Sequence, residues 1–221
     1  MLDVLVEVEH ASRVYYRGRA KIEALALATC GVMAGDRIAI MGPSGSGKST
    51  LLYLMAGLDA PSSGQIQWPA LGSVETLRPK KIGVVFQSAS LVPSLSVAEN
   101  VELPLILSGD NGQASAKAMD ALSRFGLAHL ADKLPEALSG GQAQRVAIAR
   151  AVVAEPRVIL ADEPTGQLDQ LTAQSVMDTL LAWLGTSGAA LVVATHDRAI
   201  ADRLDRVWLM DHGHLTMPPE R

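Results

Sequence analysis

Apolar residues recur at every second position at the start of the chain, where Leu2, Val4, Val6 and Val8 are separated by residues of mixed character. This alternation of apolar and polar positions continues through the first 35 residues. A period of two places alternate side chains on opposite faces of an extended strand. The pattern predicts antiparallel strands with one face on a core and the other in solvent.

After Asp36 the pattern changes to short apolar runs separated by segments with helical character. The segment 48–57 is predicted to be helical. The runs that we predict to be buried strands are Arg37–Met41, 82–86, 158–161, 190–194 and 207–210. Strands that alternate with helices favour an α/β fold with a mainly parallel sheet.

The apolar runs stop between Gln87 and Pro156, and helical patterns replace them. The helices are predicted to begin near Ser96, Ala114 and Ser139. Breaks between helical stretches are predicted at Pro104, at the turn 108–112 and at Pro135. This middle section is interpreted as a helical subdomain inserted into the sheet domain.

The composition limits the functional classes. The chain has 221 residues, a net charge of −4 and one cysteine, Cys30. The negative charge argues against nucleic acid as a partner, and a single cysteine fits a reducing compartment. No apolar run reaches the roughly 18 residues that a membrane span requires, and the N-terminus does not look like a signal peptide. We therefore expect a cytosolic chain that reaches a membrane only through a partner.

The strongest chemical signal follows the first predicted buried strand. Residues 42–49 fit the phosphate-loop pattern G-x-x-x-x-G-K-[ST]. Backbone N–H groups of such a loop surround phosphate oxygens, the lysine reaches the β and γ phosphates, and the serine hydroxyl binds Mg²⁺. The alternative is a glycine-rich turn with a chance Gly-Lys-Ser. The candidate nucleotide-binding residues are Gly42, Pro43, Ser44, Gly45, Ser46, Gly47, Lys48, Ser49 and Thr50.

Two carboxylates follow the predicted strand 158–161. Asp162 is placed to hold Mg²⁺, and Glu163 is placed to polarise an attacking water. The alternative is a solvated acidic loop. The phosphate loop and this acidic pair together indicate a nucleoside triphosphatase.

The sequence Leu138-Ser139-Gly140-Gly141-Gln142 resembles the signature motif of the ATPase subunits of ATP-binding cassette (ABC) transporters. A capped helix of ordinary function is the alternative for this pentapeptide alone. The resemblance covers essentially the whole chain, from about Val4 to Leu215, although the segment 64–87 is shorter than is usual in such proteins. It implies that Ser139, Gly140, Gly141 and Gln142 contact the nucleotide held by a second subunit.

The same resemblance assigns further site residues. Gln87 matches the glutamine that senses Mg²⁺ and the attacking water, and His196 matches the histidine that contacts the γ-phosphate. Leu168 and Asp169 match a loop that contacts the second subunit. Tyr15 matches the aromatic residue that stacks on adenine, and its neighbour Tyr16 is the alternative. His212, His214, Met177, Trp183 and Cys30 are interpreted as structural residues.

The resemblance also implies an architecture and an assembly. The fold class is a P-loop (RecA-like) core with a mainly parallel sheet, an N-terminal antiparallel β subdomain and an inserted helical subdomain. The core would comprise 1–87 and 156–221, and the helical signature subdomain 88–155. Two identical subunits would bind ATP and Mg²⁺ and drive an integral membrane permease from the cytoplasmic face of the inner or plasma membrane.

Residues 91–105 and 160–166 resemble one branch of this family, which serves lipoprotein release, macrolide or peptide efflux and cell division. Two alternatives remain at this point. One is an ABC ATPase that acts on a soluble or nucleic-acid partner instead of a transporter. The other is an inactive nucleotide-binding scaffold, which the intact Glu163, His196 and signature pentapeptide disfavour.

Overall fold

The computed structural model describes residues 3–18 and 20–218, which form nine strands and six α-helices. The strands are β1 (Val4–Arg17), β2 (Ala20–Met33), β3 (Arg37–Met41), β4 (Ser63–Gln67), β5 (Ile82–Val85), β6 (Val158–Asp162), β7 (Ala190–Thr195), β8 (Arg206–Asp211) and β9 (His214–Thr216). The helices are α1 (Lys48–Met55), α2 (Val97–Leu107), α3 (Ala114–Arg124), α4 (Gly140–Val152), α5 (Gln170–Ser187) and α6 (Arg198–Ala201).

The N-terminal part forms a three-stranded antiparallel sheet in the order β2-β1-β4. In its central strand, Val8 pairs with Cys30 on one side and with Ile66 on the other. The antiparallel pair predicted from the period of two is confirmed. The edge strand β4 was missed because Ile66 is the only apolar side chain in it and most of its residues are exposed.

The second sheet has the order β5-β6-β7-β3-β8-β9, and its strands are parallel except for β9. Each of the five apolar runs is a strand of this sheet, so the predicted α/β fold with a mainly parallel sheet is confirmed. Every residue of β6 and β7 is buried. Strands covered on both faces read as continuous apolar runs, which is why the sequence pattern identified them.

The parallel sheet separates two apolar cores. Along β6, Ile159 and Ala161 belong to a core shared with α2, α3, α4 and α5. Val158 and Leu160 belong to the other core, which contains residues of α1 and the antiparallel sheet. Successive side chains of a strand point to opposite faces, so the five strands β3, β5, β6, β7 and β8 contribute to both cores.

The three helices α2, α3 and α4 lie between β5 and β6 in the chain, and two of them begin at capping boxes. The Ser96 and Ser139 side chains accept hydrogen bonds from the backbone amides three residues later, at Glu99 and Gln142. The side-chain oxygens of Glu99 and Gln142 accept in turn from the backbone amides of the two serines. Such caps satisfy amide donors that a helix N-terminus leaves open. The predicted helix starts near Ser96, Ala114 and Ser139 are confirmed.

The predicted break at Pro104 is wrong, because Pro104 lies inside α2. Proline removes one helix hydrogen bond and costs about 3 kcal/mol in a helix interior. Val97, Val101 and Leu105 recur every four residues and are buried. Burial of each side chain of this size contributes about 1.5–3 kcal/mol, so packing outweighs the proline penalty.

Candidate nucleotide site

Four neighbouring strands, in the order β5-β6-β7-β3, end at one edge of the larger sheet. Gln87 lies just beyond β5, Asp162 ends β6, Glu163 follows it, His196 follows β7, and residues 42–47 follow β3. Open α/β sheets bind ligands at the carboxyl ends of their strands. The topology therefore brings together residues that lie more than a hundred positions apart in the sequence.

The loop between β3 and α1 depends on its glycines. A Cβ atom on Gly42 would lie 2.0 Å from the carbonyl oxygen of Met210, and one on Gly47 would lie 2.3 Å from that of Ala24. Gly47 also has a φ of 108°, which disfavours residues with a Cβ atom. Gly45, at a φ of 77°, has no atom within 4 Å of its Cβ position among the described residues. The loop therefore packs closely against other backbone at Gly42 and Gly47, and among the described residues it has free space at Gly45.

Lys48 is the first residue of α1 and is held across this loop. Its Nζ donates hydrogen bonds of 2.8 Å to the Gly42 carbonyl and 2.9 Å to the Pro43 carbonyl. The side chain is buried. An ammonium group has three donors, and two are used in these bonds. The third is available for an anionic ligand such as a phosphate oxygen.

Asp162 is a buried carboxylate at the end of β6. The Tyr53 hydroxyl donates to its Oδ2 at 3.1 Å. Burial raises the pKa of Asp162, while hydrogen bonds from Ser49 and Tyr53 act in the opposite direction. Burial and the nearby Asp162 charge also raise the pKa of Tyr53 to about 12. Tyr53 therefore keeps its proton at neutral pH and acts as the donor.

The other carboxylate oxygen, Asp162 Oδ1, is buried and has no hydrogen-bond partner in the part of the chain that the structure describes. An unsatisfied buried carboxylate oxygen is unfavourable, and a cation would satisfy it. Ser49 and Gln87, whose side chains also carry oxygen atoms, line the same cleft. Oxygen ligands of this kind suit Mg²⁺, so the residues present fit the predicted metal.

Glu163 and His196 form a pair at this edge of the sheet. His196 Nδ1 lies 2.9 Å from Glu163 Oε1 and 3.0 Å from Oε2. The His196 side chain is 70% exposed, whereas that of Glu163 is 12% exposed. Glu163 has a φ of 45°, and its amide donates to the Ala194 carbonyl in β7. The backbone of Glu163 is thus held by β7, and its carboxylate is held by the imidazole of His196.

These groups line one cleft with a volume of about 400 Å³. It brings together most of the residues predicted to act in cis and adds two that were not predicted to line the site, Gly166 and Gln167. The predicted residues in its lining are Ser44, Gly45, Lys48, Ser49, Gln87, Asp162, Glu163 and His196.

The signature pentapeptide lies elsewhere, and none of residues 139–142 is in the described lining of the cleft. Ser139 caps α4, and Gly140 and Gly141 form its first turn. A Cβ atom on Gly141 would lie 3.0 Å from Leu168 Cδ2. The signature motif therefore packs against the segment predicted to contact a second subunit, next to Gln167 of the cleft lining, without itself being part of the described lining.

Tyr15 lies on β1, and neighbouring side chains hold its ring. Its hydroxyl donates to Asp59 Oδ2 at 2.8 Å, and the guanidinium carbon of Arg13 lies 4.7 Å from the ring centre. Arg13 also pairs with Asp59 at 2.7 Å. Tyr16 is 75% exposed. The structure places neither tyrosine in the described lining of the cleft, and the choice between them for stacking on adenine stays a prediction.

Sequence reasoning missed two residues that connect α4 to the segment carrying Gln87. Gln144 is fully buried, and its Nε2 donates to the Phe86 carbonyl at 3.0 Å. Arg150 donates to the carbonyls of Ser90 and Ala89, both at 3.0 Å. The available signal was the presence of long polar side chains among the apolar residues of α4.

A model of the family described as "ABC transporter" matches residues 27–166, which is more than half of the chain. The chain belongs to the ABC transporter family. The sequence is 42% identical to a lipoprotein-releasing system ATP-binding protein, LolD, of Legionella pneumophila strain Paris, over 97% of this chain and 98% of that protein. It is 43% identical to LolD of Bordetella pertussis, over 95% and 94% of the two chains.

Solved structures agree with this membership. A dimeric ATP-binding cassette, MJ0796, in a post-hydrolysis state with bound ADP and Pi, superposes with a TM-score of 0.88 at 36% identity, over 96% of this chain and 98% of that one. CbiO1 of Clostridium perfringens, part of the transporter complex cbiONQ, gives a TM-score of 0.79 at 33% identity, over 97% and 88% of the two chains.

The ABC resemblance inferred from the motifs is therefore confirmed, and with it the identification of the chain as an ATP-binding, ATP-hydrolysing subunit of a transporter. ABC cassettes form dimers, as the MJ0796 structure shows, and work in complexes such as cbiONQ. Among the described residues, no helix is both long and apolar enough to cross a bilayer.

Proposed function

We propose that this ABC ATPase powers a lipoprotein-releasing system, as a homodimer that hydrolyses ATP and drives a separate integral membrane subunit. The observation that carries the proposal is the Glu163–His196 pair in the lining of the cleft that also contains Lys48 and Asp162. The two LolD relatives, matched over nearly their full lengths, support lipoprotein release as the process that is driven.

In the proposed site the phosphates of ATP occupy the loop 42–47. Its amides and those at the start of α1 donate to phosphate oxygens, and the helix dipole favours the negative charge. Lys48 adds a positive charge that two carbonyls already orient. Ser49 and Thr50 continue the site along the first turn of α1.

Ser49, Asp162 and Gln87 would hold Mg²⁺. The ion, when bound, neutralises charge on the β and γ phosphate oxygens. Asp162 supplies the negative charge of this set, and its unpartnered Oδ1 supports the assignment. Gln87 supplies a neutral side chain from a different strand end, which connects the metal site to the segment held by α4.

Glu163 is the proposed general base. Its carboxylate accepts a proton from the attacking water as the water oxygen bonds to the γ-phosphorus and the bond to the β–γ bridging oxygen breaks. ADP leaves, and the second proton of the water stays with the phosphate. His196 donates from Nδ1 to the carboxylate and holds it in orientation. Lys48 stabilises the charge that shifts to the leaving group.

The second subunit is proposed to supply Ser139, Gly140, Gly141 and Gln142 to this site. The position of these residues outside the cleft of their own chain supports a role in trans. The capping box at Ser139 uses the Gln142 amide, whereas Gly140 and Gly141 begin α4, where helix amides have no partner within the helix and attract anions. ATP binding would then close the dimer, and hydrolysis would reopen it.

Mixing two inactive variants tests this arrangement. Lys48→Ala should remove phosphate binding, and Ser139→Arg should block the signature surface. Neither homodimer should hydrolyse ATP. A mixed dimer has one site with both defects and one site with none, so mixing should restore part of the turnover. Two inactive variants that remain inactive when mixed, although they form heterodimers, would contradict the trans assignment.

The domain division that we propose places the ATP-binding core in 1–87 and 156–221 and the helical signature subdomain in 88–155. All nine described strands lie in the first two ranges, which supports this division. The membrane subunit would dock near Gln87 and the helical subdomain, at the cytoplasmic face of the inner membrane.

Affinity capture tests the transporter role. Tagged Glu163→Gln chain, loaded with ATP and Mg²⁺, would be recovered from detergent-solubilised native membranes and its partners identified by mass. The same capture without nucleotide is the control. An integral membrane partner that acts on lipoproteins is expected. Recovery of soluble or nucleic-acid-bound partners alone would overturn the proposal.

A further inference from the structure

Tyr53 lies one helical turn after Ser49 on α1, so the two side chains share one face of the helix. Ser49 is a predicted Mg²⁺ ligand. Tyr53 is neither a phosphate-loop residue nor a predicted ligand, yet it is half-buried and contacts Asp162 and the residue that precedes Gln87. Its contacts join α1 to the ends of two strands, β5 and β6.

The first contact is the hydrogen bond from the Tyr53 hydroxyl to Asp162 Oδ2 at 3.1 Å. This bond occupies one oxygen of the carboxylate and leaves Oδ1 without a partner among the described residues. A carboxylate that is held by one oxygen cannot rotate freely about its last bond. The other oxygen is thereby presented in a fixed direction.

The second contact is between aromatic rings. The centres of the Tyr53 and Phe86 rings lie 5.9 Å apart at an angle of 57°, a tilted geometry that aromatic pairs favour. Phe86 immediately precedes Gln87. The same side chain thus contacts Asp162 directly and fixes the residue next to Gln87.

We propose that Tyr53 is a positioning residue for the metal site, which holds Asp162 through its hydroxyl and the segment of Gln87 through its ring. This inference rests on the proposed roles of Asp162 and Gln87 as metal-holding groups. Partners of metal ligands commonly change metal affinity by about 10- to 100-fold when they are removed. Tyr53 does not touch the reacting atoms in this assignment.

Two substitutions separate the two contacts. Tyr53→Phe removes the hydroxyl and keeps the ring against Phe86. Tyr53→Leu removes both. We expect Tyr53→Phe to raise the Mn²⁺ concentration needed for half-saturation of the nucleotide-loaded protein about tenfold, measured by electron paramagnetic resonance in a Glu163→Gln background that does not turn over. Tyr53→Leu should raise it further.

A second measurement excludes a general structural defect. Binding of a fluorescent ATP analogue in excess EDTA should be the same in parent and Tyr53→Phe, because the phosphate loop does not depend on the hydroxyl. In the chain that retains Glu163, the ATP turnover of Tyr53→Phe should return toward that of the parent at high Mg²⁺. A folding defect would instead weaken metal-free nucleotide binding and would not be relieved by Mg²⁺.

The outcomes distinguish this inference from the proposed function. Equal Mn²⁺ half-saturation in parent and Tyr53→Phe, with tight binding in both, would overturn the positioning role and leave the metal site intact. Loss of metal-free nucleotide binding in Tyr53→Phe would also overturn it. Failure of the parent to bind Mn²⁺ with nucleotide would instead contradict the assignment of Asp162 and the proposed function.

Discussion

The Nε2 atom of Gln144 donates to the carbonyl oxygen of Phe86 at 3.0 Å, and this bond joins the helix of the signature motif to the residue before Gln87. Gln144 is fully buried. Its Oε1 is also buried and has no partner among the residues that the structure describes. A buried amide with only part of its hydrogen-bonding capacity used is a conspicuous exception in a helix packed against a core.

We therefore predict that Gln144→Leu lowers the turnover number by about threefold to tenfold while ATP affinity changes little. Leucine removes the unsatisfied Oε1 but leaves the Phe86 carbonyl without its donor, so a destabilisation of about 1–2 kcal/mol is expected. Steady-state kinetics and denaturant unfolding measure the two effects. Gln174→Leu, at an exposed position of α5, is the control. Unchanged turnover would show that the bond does not position Gln87.

Glu163→Gln should retain ATP binding and lower phosphate release at least 100-fold, because the amide cannot accept the proton of the attacking water. The variant should accumulate as a closed dimer with ATP and Mg²⁺, which size-exclusion chromatography detects. Glu23→Gln, at an exposed position of β2, should hydrolyse ATP at the parent rate. ATP turnover by Glu163→Gln close to that of the parent would show that Glu163 is not the general base.

Asp162→Asn is predicted to be inactive and more stable than the parent in the absence of metal. Burial raises the pKa of Asp162 above its ordinary 3.8, so the folded state disfavours the charged form. The charge lowers stability at neutral pH, and this loss disappears as the pH falls through the raised pKa and the carboxylate is protonated. The melting temperature of the variant in EDTA should exceed that of the parent by about 2–4 °C at pH 7.

The difference in melting temperature between Asp162→Asn and the parent should become smaller as the pH falls toward 4. Differential scanning fluorimetry of both proteins at several pH values measures this difference. Asp132→Asn, at an exposed position outside the site, is the control for the loss of one carboxylate. A variant less stable than the parent at pH 7 would show that the hydrogen bonds from Ser49 and Tyr53 outweigh the burial of the charge.

Two Gly→Ala substitutions should have opposite effects. Gly47→Ala combines a φ of 108° with a Cβ position 2.3 Å from a backbone oxygen, so we expect a loss of more than about 2 kcal/mol. Gly185 lies inside α5, with open space around its Cβ position, and Gly185→Ala should stabilise by about 0.5–1 kcal/mol. Urea unfolding measures both. Equal effects of the two substitutions would contradict the steric account.

The two neighbouring tyrosines can be compared directly. Tyr15→Ala should weaken binding of a fluorescent ATP analogue about tenfold, the effect of losing roughly 1–3 kcal/mol of base stacking. Tyr15→Phe should keep most of the affinity, because the ring remains. Tyr16→Ala should bind as the parent does if Tyr15 stacks on adenine. Weaker binding of the analogue by Tyr16→Ala than by Tyr15→Ala would show that Tyr16 is the residue that stacks on adenine.

The sequence predicted best those features that depend on burial or on a short contiguous motif. β6 and β7 are buried on both faces and were visible as apolar runs, and the phosphate loop is a single stretch of eight residues. The edge strand β4 was invisible because its residues are mostly polar and exposed. Pro104 was misjudged because a local penalty is readable in sequence, whereas the burial that outweighs it depends on the tertiary fold.

The candidate site also combines residues in short motifs, which the sequence predicts, with contacts that depend on the tertiary fold, which it does not. Candidate roles could be assigned to four residues because each ends or follows a strand, or opens a helix, in a known motif: Lys48, Asp162, Glu163 and His196. The contacts of Tyr53 with Asp162 and of Gln144 with Phe86 join residues 109 and 58 positions apart. No local pattern predicts such pairs, because the relative placement of α1, α4 and the strands decides them.

The alternation of side chains along β6 also separates two kinds of chemistry. Val158 and Leu160 face the core that contains α1, and Asp162, two positions further, contacts Tyr53 of that helix. Glu163 has the opposite parity and pairs with His196. A shift of β6 by one residue against its neighbours would exchange these surroundings, so that Asp162, the proposed metal-holding acid, would face the imidazole of His196. The pairing of Asp162 with Ala194 in β7 therefore determines which of the two acids faces Tyr53 and which faces His196, in addition to aligning the strands.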